Sequence, residues 1–290
     1  MILRVVFLLL ISQWTHAGSL IITSDIHISG DEGRFTEKNQ EFQTLLDENC
    51  GVNDYFIVGD VVDNVLDNPI RVGSVDYRNS EFDIFNAMMG DKTFNYSYGV
   101  GHDFGAGENN LIDAVEYTGM PSRGVMGWGQ VNLIWLTPIV GSFPSLDGIT
   151  RQAFSDDDIA WLNQTLSDKK NFILMFHVPL RATGWQSAYY QTPDGREYAI
   201  PLADHIYQAI ESNKESLIAI IAGHVHISFS SVVSGVPYYM FAFDEGGCHA
   251  KLTQKLSLLN IKSRDCNNQI ENDIDLNTPF IIPITNLILD

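Results

Sequence analysis

Five short stretches hold the side chains best suited to chemistry: Asp25-Ile-His27, Gly59-Asp60-Val-Val-Asp63, Gly101-His102-Asp103, His177 and Gly223-His224-Val-His226. All of them supply carboxylates or imidazoles, the mixed oxygen and nitrogen donors that hard and borderline divalent cations take. The chain has eight histidines, and His27, His102, His177, His224 and His226 fall within these stretches. His16 lies before them, His205 is read inside a helix and His249 after a strand, so none of those three is given a role. The glycines between Gly99 and Gly107 lack the Gly-Lys-Ser/Thr ending of a nucleotide-binding phosphate loop. They read instead as pliable backbone around His102.

Apolar runs lead into four of the stretches. Residues 19–23, 55–58, 171–176 and 217–222 are short and apolar, the pattern of strands buried on both faces. Two more strands are expected at 131–136 and 236–243, with Pro237 making the latter start late or lie at an edge. Helices are expected over 36–48, with Phe42, Leu45 and Leu46 on one face, and over 79–89 and 202–210. Another follows Ser155, which caps it while Asp156, Asp157 and Asp158 favour its positive end. Alternating strand and helix predicts an α/β architecture with buried sheets, in which side chains just past the carboxyl ends of strands meet in one crevice. Neighbours two apart on an extended chain face opposite ways. His224 and His226 therefore need a local bend, or two ions, to serve one site.

In this order the stretches resemble the calcineurin-like metallophosphoesterase family, over residues 20 to about 245. The resemblance implies a four-layer αββα sandwich forming a single domain, residues 18–290, with a strand-rich C-terminal extension. It implies a hydrolase of phosphomonoesters or phosphodiesters that uses two divalent or trivalent ions (iron, zinc or manganese) about 3.5–4 Å apart and a hydroxide bridging them. Asp25, His27 and His226 would hold the first ion, Asp60 would bridge, and His177 with His224 would hold the second. His102 would stand beside the substrate, oriented and kept charged by Asp103, while Asp63 would support the loop of Asp60. The family carries Asn where this chain has Gly101. Water, a nearby Asn109 or Asn110, or a weakened second site are the open consequences, and a catalytically weakened or inactive secreted binding protein on the same fold is the alternative reading. Asp63 stands where purple acid phosphatases carry Tyr, and the chain lacks the second domain of the long nucleotidases.

Charge and termini bound the rest. With 17 basic against 36 acidic residues the formal net charge is −19, which disfavours binding to nucleic-acid polymers. An anionic substrate must then find positive charge locally, and bound metal ions are one source. The expected partner is a small phosphate ester or nucleotide-like molecule. Arg181 to Tyr198, with Trp185, Tyr189, Tyr190 and Arg196, reads either as a cover that stacks on a flat group or as a plain surface loop. Residues 1–17 read as a secretory signal peptide, Arg4 preceding a short apolar run from Val5 to Ile11 and Ala17 offering a small residue for cleavage. A buried strand or a membrane anchor competes, although an anchor needs about 20 apolar residues. The mature chain is expected to be secreted, to the exterior or to a secretory or lysosomal lumen, with no transmembrane helix. Secretion permits a disulfide, and of Cys50, Cys248 and Cys266 the last two are nearest in sequence. Sequons at Asn95 and Asn163 agree with a glycoprotein. The apolar tail, 279–290, reads as a closing strand or the trace of a lipid-anchor signal.

Overall fold

The structure, a computed structural model, describes residues 18–30, 36–66, 71–72, 75–99, 101–104, 108–141, 151–167, 171–181, 199–200, 204–243, 246–264, 266 and 269–277. The expected leader, most of the aromatic segment 181–198 and the tail 279–290 lie outside these residues.

In chain order the elements are β1 (Ser19–Thr23), α1 (Thr36–Glu48), β2 (Asp54–Val58), β3 (Val65–Leu66), β4 (Arg71–Val72), α2 (Val75–Met89), β5 (Thr93–Ser97) and α3 (Glu108–Thr118). There follow β6 (Arg123–Trp128), β7 (Val131–Leu136), β8 (Ile139–Gly141), β9 (Arg151–Ala153), α4 (Asp156–Ser167), β10 (Phe172–Met175) and α5 (Ile206–Asn213). The chain continues through β11 (Leu217–Ala222), β12 (Phe229–Val233), β13 (Val236–Met240), β14 (His249–Lys255), β15 (Leu258–Arg264) and β16 (Glu271–Asp275). One six-stranded sheet has the order β16-β15-β14-β1-β2-β5, and a second has the order β12-β13-β11-β10-β7-β6. Strands β1, β2 and β5 run parallel, as do β7, β10, β11 and β13.

The apolar runs are continuous because each strand packs on both faces. Leu20 and Ile22 of β1 join Phe56 and Val58 in the layer between the sheets, where they meet Ile173, Met175 and Ile221 of the second sheet. Ile21, Tyr55 and Ile57 face the other way, onto Phe42, Phe82 and Phe85 of the helices α1 and α2. Phe172, Leu174 and Ile220 likewise turn outward to Leu162 and Ile206 of α4 and α5. The layers are therefore helix, sheet, sheet, helix, the expected αββα sandwich. Ser155 caps α4 as its composition suggests, its hydroxyl accepting from the Asp158 N–H at 3.1 Å.

Pro237 is placed differently from one of its two expectations. β13 is an interior strand, but its pairing with β11 begins only at Tyr238, so the missing proline N–H leaves no gap in that ladder. β14, β15 and β16 escape the search for apolar runs. Ala250, Leu252, Leu259 and Ile261 are buried between the sheets, while the intervening Lys251, Asn260 and Lys262 point to the half-exposed face. No helix among the described residues is long and apolar enough to cross a membrane.

A disulfide joins Cys248 to Cys266, 18 residues apart, and so ties the start of β14 to the segment after β15; Cys50 is free and exposed. Closing a loop of this size constrains the unfolded chain, typically by about 2–4 kcal/mol. Replacing Cys266 with Ser should lower the free energy of urea unfolding by about that amount. Unchanged stability in the oxidised protein would mean that the β14–β15 ladder needs no such tie.

Candidate metal centre

The two sheets meet where their parallel strands end. Ser24, just past β1, pairs with Ala242 just past β13, and the Phe243 N–H donates to the Ser24 carbonyl at 2.9 Å. The loops after β1 and β2 are laced together by Asp25 N–H to Gly59 O (3.1 Å), His27 N–H to Asp60 O (3.0 Å) and Ile28 N–H to Val61 O (2.9 Å). Within the second sheet the Gly223 N–H donates to His177 O at 2.9 Å, and across the seam the His224 N–H is 3.0 Å from each Asp25 carboxylate oxygen.

These loops turn abruptly. Asp25, His27, Asp60, His224 and His226 all have positive φ, between 48° and 78°. Residues with a Cβ resist this left-handed region, and such strain persists only where surrounding contacts impose it. The bend that His224 and His226 needed is thus present at both residues. The neighbouring glycines are steric necessities. A Cβ on Gly59, itself at φ +78°, would lie 2.5 Å from the His177 side chain. A Cβ on Gly99 would overlap the Asp60 carboxylate oxygen Oδ1.

The side chains converge as two donor sets that share one carboxylate. Asp25, His27, Asp60 and His226 form the first, and Asp60, His177 and His224 the second, while His27, Asp63 and His102 form a third group beside them. His27 Nε2 faces His226 Nε2 at 3.2 Å, and His177 Nε2 faces His224 Nδ1 at 3.2 Å. Asp60 Oδ2 lies 3.1 Å from His177 Nε2, and Asp25 Oδ1 lies 3.5 Å from His226 Nε2. An ion with bonds of about 2.1 Å to tetrahedral ligands sets its donors roughly 3.4 Å apart. Asp60 Oδ1 is buried and accepts no hydrogen bond among the described residues, so an unsatisfied anionic oxygen is held ready for a cation. The residues fit a metal.

Hydrogen bonds fix the rings. His177 Nδ1 donates to the Val58 carbonyl at 2.8 Å, which turns Nε2 to Asp60. Asp63 Oδ1 lies 3.5 Å from His27 Nδ1 and so backs that ring from behind, a common arrangement for a metal-binding histidine. His102 Nδ1 donates to the Asp63 carbonyl at 2.5 Å, leaving Nε2 4.0 Å from Asp60 Oδ2. The Asp60 and His177 side chains are at most 2% exposed, whereas those of His102 and His226 are 29% and 40% exposed. The centre therefore has a closed floor and an open mouth.

Charge is distributed unevenly across the cluster. Burial alone would raise the Asp60 pKa, but His177, His102 and His27 hold it well below the usual carboxylate range. Burial opposes a proton on His177, yet Asp60 and Asp25 push its pKa up to about 10. Burial and then the charge of His177 press His224 down to about 3. His102 is raised despite its burial, chiefly by Asp60 and the Asp63 carbonyl.

The expectation for Asp103 is corrected. Its buried carboxylate accepts from Val61 N–H (2.8 Å), Val62 N–H (3.1 Å) and Gly99 N–H (2.6 Å). It braces the loops that carry Asp60 and His102 and reaches His102 through its charge alone. The orienting group for His102 is the Asp63 carbonyl. Asn109 and Asn110 begin α3, Asn109 being exposed. A Cβ on Gly101 would meet nothing within 4 Å, but φ there is +104°, which L residues rarely adopt. The departure from Asn is thus built into the backbone of this loop. Both sequon asparagines are engaged within elements: Asn95 Nδ2 contacts Met126 Sδ at 3.1 Å, and Asn163 Oδ1 accepts from Asn213 at 2.8 Å.

Sequence reasoning read Gly99 only as pliable backbone around His102, and it missed Glu81. The side chain of Glu81, fully buried on α2, bonds to the loops after His27 and Asp60. A charged residue four before Phe85 on an apolar helix face was its only signal.

The profile of the calcineurin-like phosphoesterase family matches residues 18–228. The fold is similar to that of GAP50, the anchor in the inner membrane complex of Plasmodium, with a TM-score of 0.51 and 12% identity over 89% of this chain and 88% of that one. A putative 5'-nucleotidase from Staphylococcus aureus is similar at a TM-score of 0.49 and 15% identity, over 91% of this chain and 55% of that one. The phosphopantetheinyl hydrolase of Mycobacterium tuberculosis gives 0.47 and 12%, over 79% of this chain and 91% of that one. No curated protein matches the sequence.

Gly99→Ala should displace Asp60 while leaving both sheets intact, since Gly99 itself has an unstrained φ. Metal affinity, measured by manganese or zinc titration, is expected to fall by roughly 10–100-fold. A variant that binds as tightly as wild type would show that Asp60 is not held where the geometry puts it.

Proposed function

This chain belongs to the calcineurin-like phosphoesterase family, and on that premise we propose that it is a secreted metal-dependent hydrolase of phosphoric esters. The observation that carries the reading is the pair of donor sets sharing Asp60 at the floor of an open mouth, with His102 at its rim. Asp25, His27 and His226 would hold one ion, His177 and His224 a second, and Asp60 both. Ions so bound supply Lewis acidity toward a phosphoryl oxygen and lower the pKa of water to near neutrality.

The chain's own residues do the remaining work. His177 and His224 offer nitrogen, and Asp25 and Asp60 offer fixed negative charge that no lysine or arginine among the described residues neutralises by ion pairing. His102 presents Nε2 to the mouth because Nδ1 is committed to the Asp63 carbonyl. Its raised pKa lets it carry a proton there, which it can donate to a phosphoryl or leaving oxygen. A small phosphate ester or nucleotide-like substrate suits a chain whose net charge of −19 repels polymeric phosphates. The leader-like first 17 residues and the disulfide favour the secretory route.

Gly101 favours a second reading, a weakened or inactive relative that keeps the fold and binds a partner. One experiment separates the two. The purified protein should contain metal by elemental analysis and hydrolyse p-nitrophenyl phosphate or its bis ester. Chelation should abolish turnover, and manganese or zinc should restore it. Bound metal without turnover on either ester would favour the binding protein; no metal even after loading would overturn the hydrolase.

His102→Ala should lower turnover by roughly 10²–10⁴-fold with metal content unchanged, because the ring lies outside the two donor sets that share Asp60. Undiminished turnover would remove His102 from the reaction.

A further inference from the structure

Glu81 is fully buried on α2, whose other buried residues are Arg78, Phe82, Phe85 and Met89. A carboxyl group in such a place is costly unless its oxygens are satisfied. No lysine or arginine pairs with it among the described residues; its partners are backbone and hydroxyl groups. Oε1 accepts from the Gly30 N–H at 3.2 Å and Oε2 from the Asn64 N–H at 2.7 Å, with Ser29 and Tyr77 adding side-chain hydrogen bonds. Gly30 lies three residues past His27, and Asn64 directly follows Asp63.

Each anchored loop carries parts of the centre. The first holds Asp25 and His27. The second holds Asp60, together with Asp63, whose carboxylate backs His27 and whose carbonyl orients His102. Asn64 is itself left-handed, at φ +45°, and buried. A strained turn of this kind needs an external hold on its N–H. Asn39 of α1 adds a second hold on the first loop, accepting from the Ser29 N–H at 3.2 Å and donating to its carbonyl at 2.9 Å. One carboxyl group therefore spans the far ends of two loops whose near ends are laced backbone to backbone.

We propose that Glu81 is a positioning residue that sets the separation of the two ligand-bearing loops, and through it the affinity of the donor set Asp25, His27, Asp60 and His226 for a cation. This rests on reading those four residues as metal ligands. Glutamine in its place keeps one acceptor oxygen but sets an NH2 group against the other backbone N–H, so one loop is released while the helix face stays filled.

The test is cobalt titration followed by calorimetry and by the visible absorption of the bound ion. Glu81→Gln is compared with wild type and with Phe85→Leu, which loosens the same helix but keeps the Glu81 hydrogen bonds to both loops. Glu81→Gln should bind the first cobalt roughly 10–100-fold more weakly, with an altered absorption band, and Phe85→Leu should retain the wild-type affinity and band. Equal affinity and band in Glu81→Gln, with wild type binding cobalt normally, would overturn the role of Glu81 alone. No cobalt binding by wild type would overturn the metal reading beneath it. Should Glu81→Gln fail to fold, hydrogen exchange of wild type decides: slow exchange at both Gly30 and Asn64 supports the tether, and rapid exchange at either overturns it.

Discussion

The carboxylate of Asp60 is the constraint around which this centre is built. It is 1% exposed, its ion-pair partners among the described residues are all histidines, and one of its oxygens accepts no hydrogen bond. A buried anion so poorly compensated is tolerable only if a cation or protonated imidazoles neutralise it. The arrangement supplies both possibilities, because the groups around it are rings that either carry a proton or surrender it to make room for a metal. The opposite shifts of His177 and His224, facing each other at 3.2 Å, express that competition. A charge on His177 disfavours a second one on its neighbour.

Holding Asp60 there determines much of the surrounding backbone. Gly59 and Gly99 have no Cβ because His177 and the Asp60 carboxylate occupy that space. Asp103 turns its carboxylate toward three backbone N–H groups of the adjoining loops rather than toward the reacting region. Five ligand-type residues sit in the left-handed region, each at a cost of about 1–3 kcal/mol. Two sheets packed through a continuous apolar layer can bear such local strain. A smaller or looser scaffold would relax it, and the donor spacing would be lost.

The same geometry reconciles an acidic chain with an anionic ligand. Net charge of −19 repels phosphate at long range, yet under the proposed function the positive potential needed would be local, from ions held at the floor and a proton on His102 at the rim. The open side is formed by His102 and His226, and the closed side by Asp25, Asp60 and His177. A ligand would thus meet the rings of His102 and His226 before the buried carboxylates.

The sequence by itself determined the fold class and the ligand-type residues. Strands buried on both faces must be uniformly apolar, so β1, β2, β10 and β11 stand out from their neighbours. The chemistry past their ends needs Asp and His, types that few other roles would concentrate there. One-sided strands such as β14 and β15 show only alternation, so the sequence reading expected a strand-rich extension there without placing its strands. Tertiary structure alone decided which atom each ring offers, that His224 and His226 both bend, that Asp103 braces loops, and that Glu81 joins them. These depend on hydrogen bonds and contacts between residues far apart in the chain: His27 meets His226 across 199 positions, and Glu81 reaches Gly30 across 51. Local propensity carries no record of such distances; only the packing of the two sheets brings the ends together.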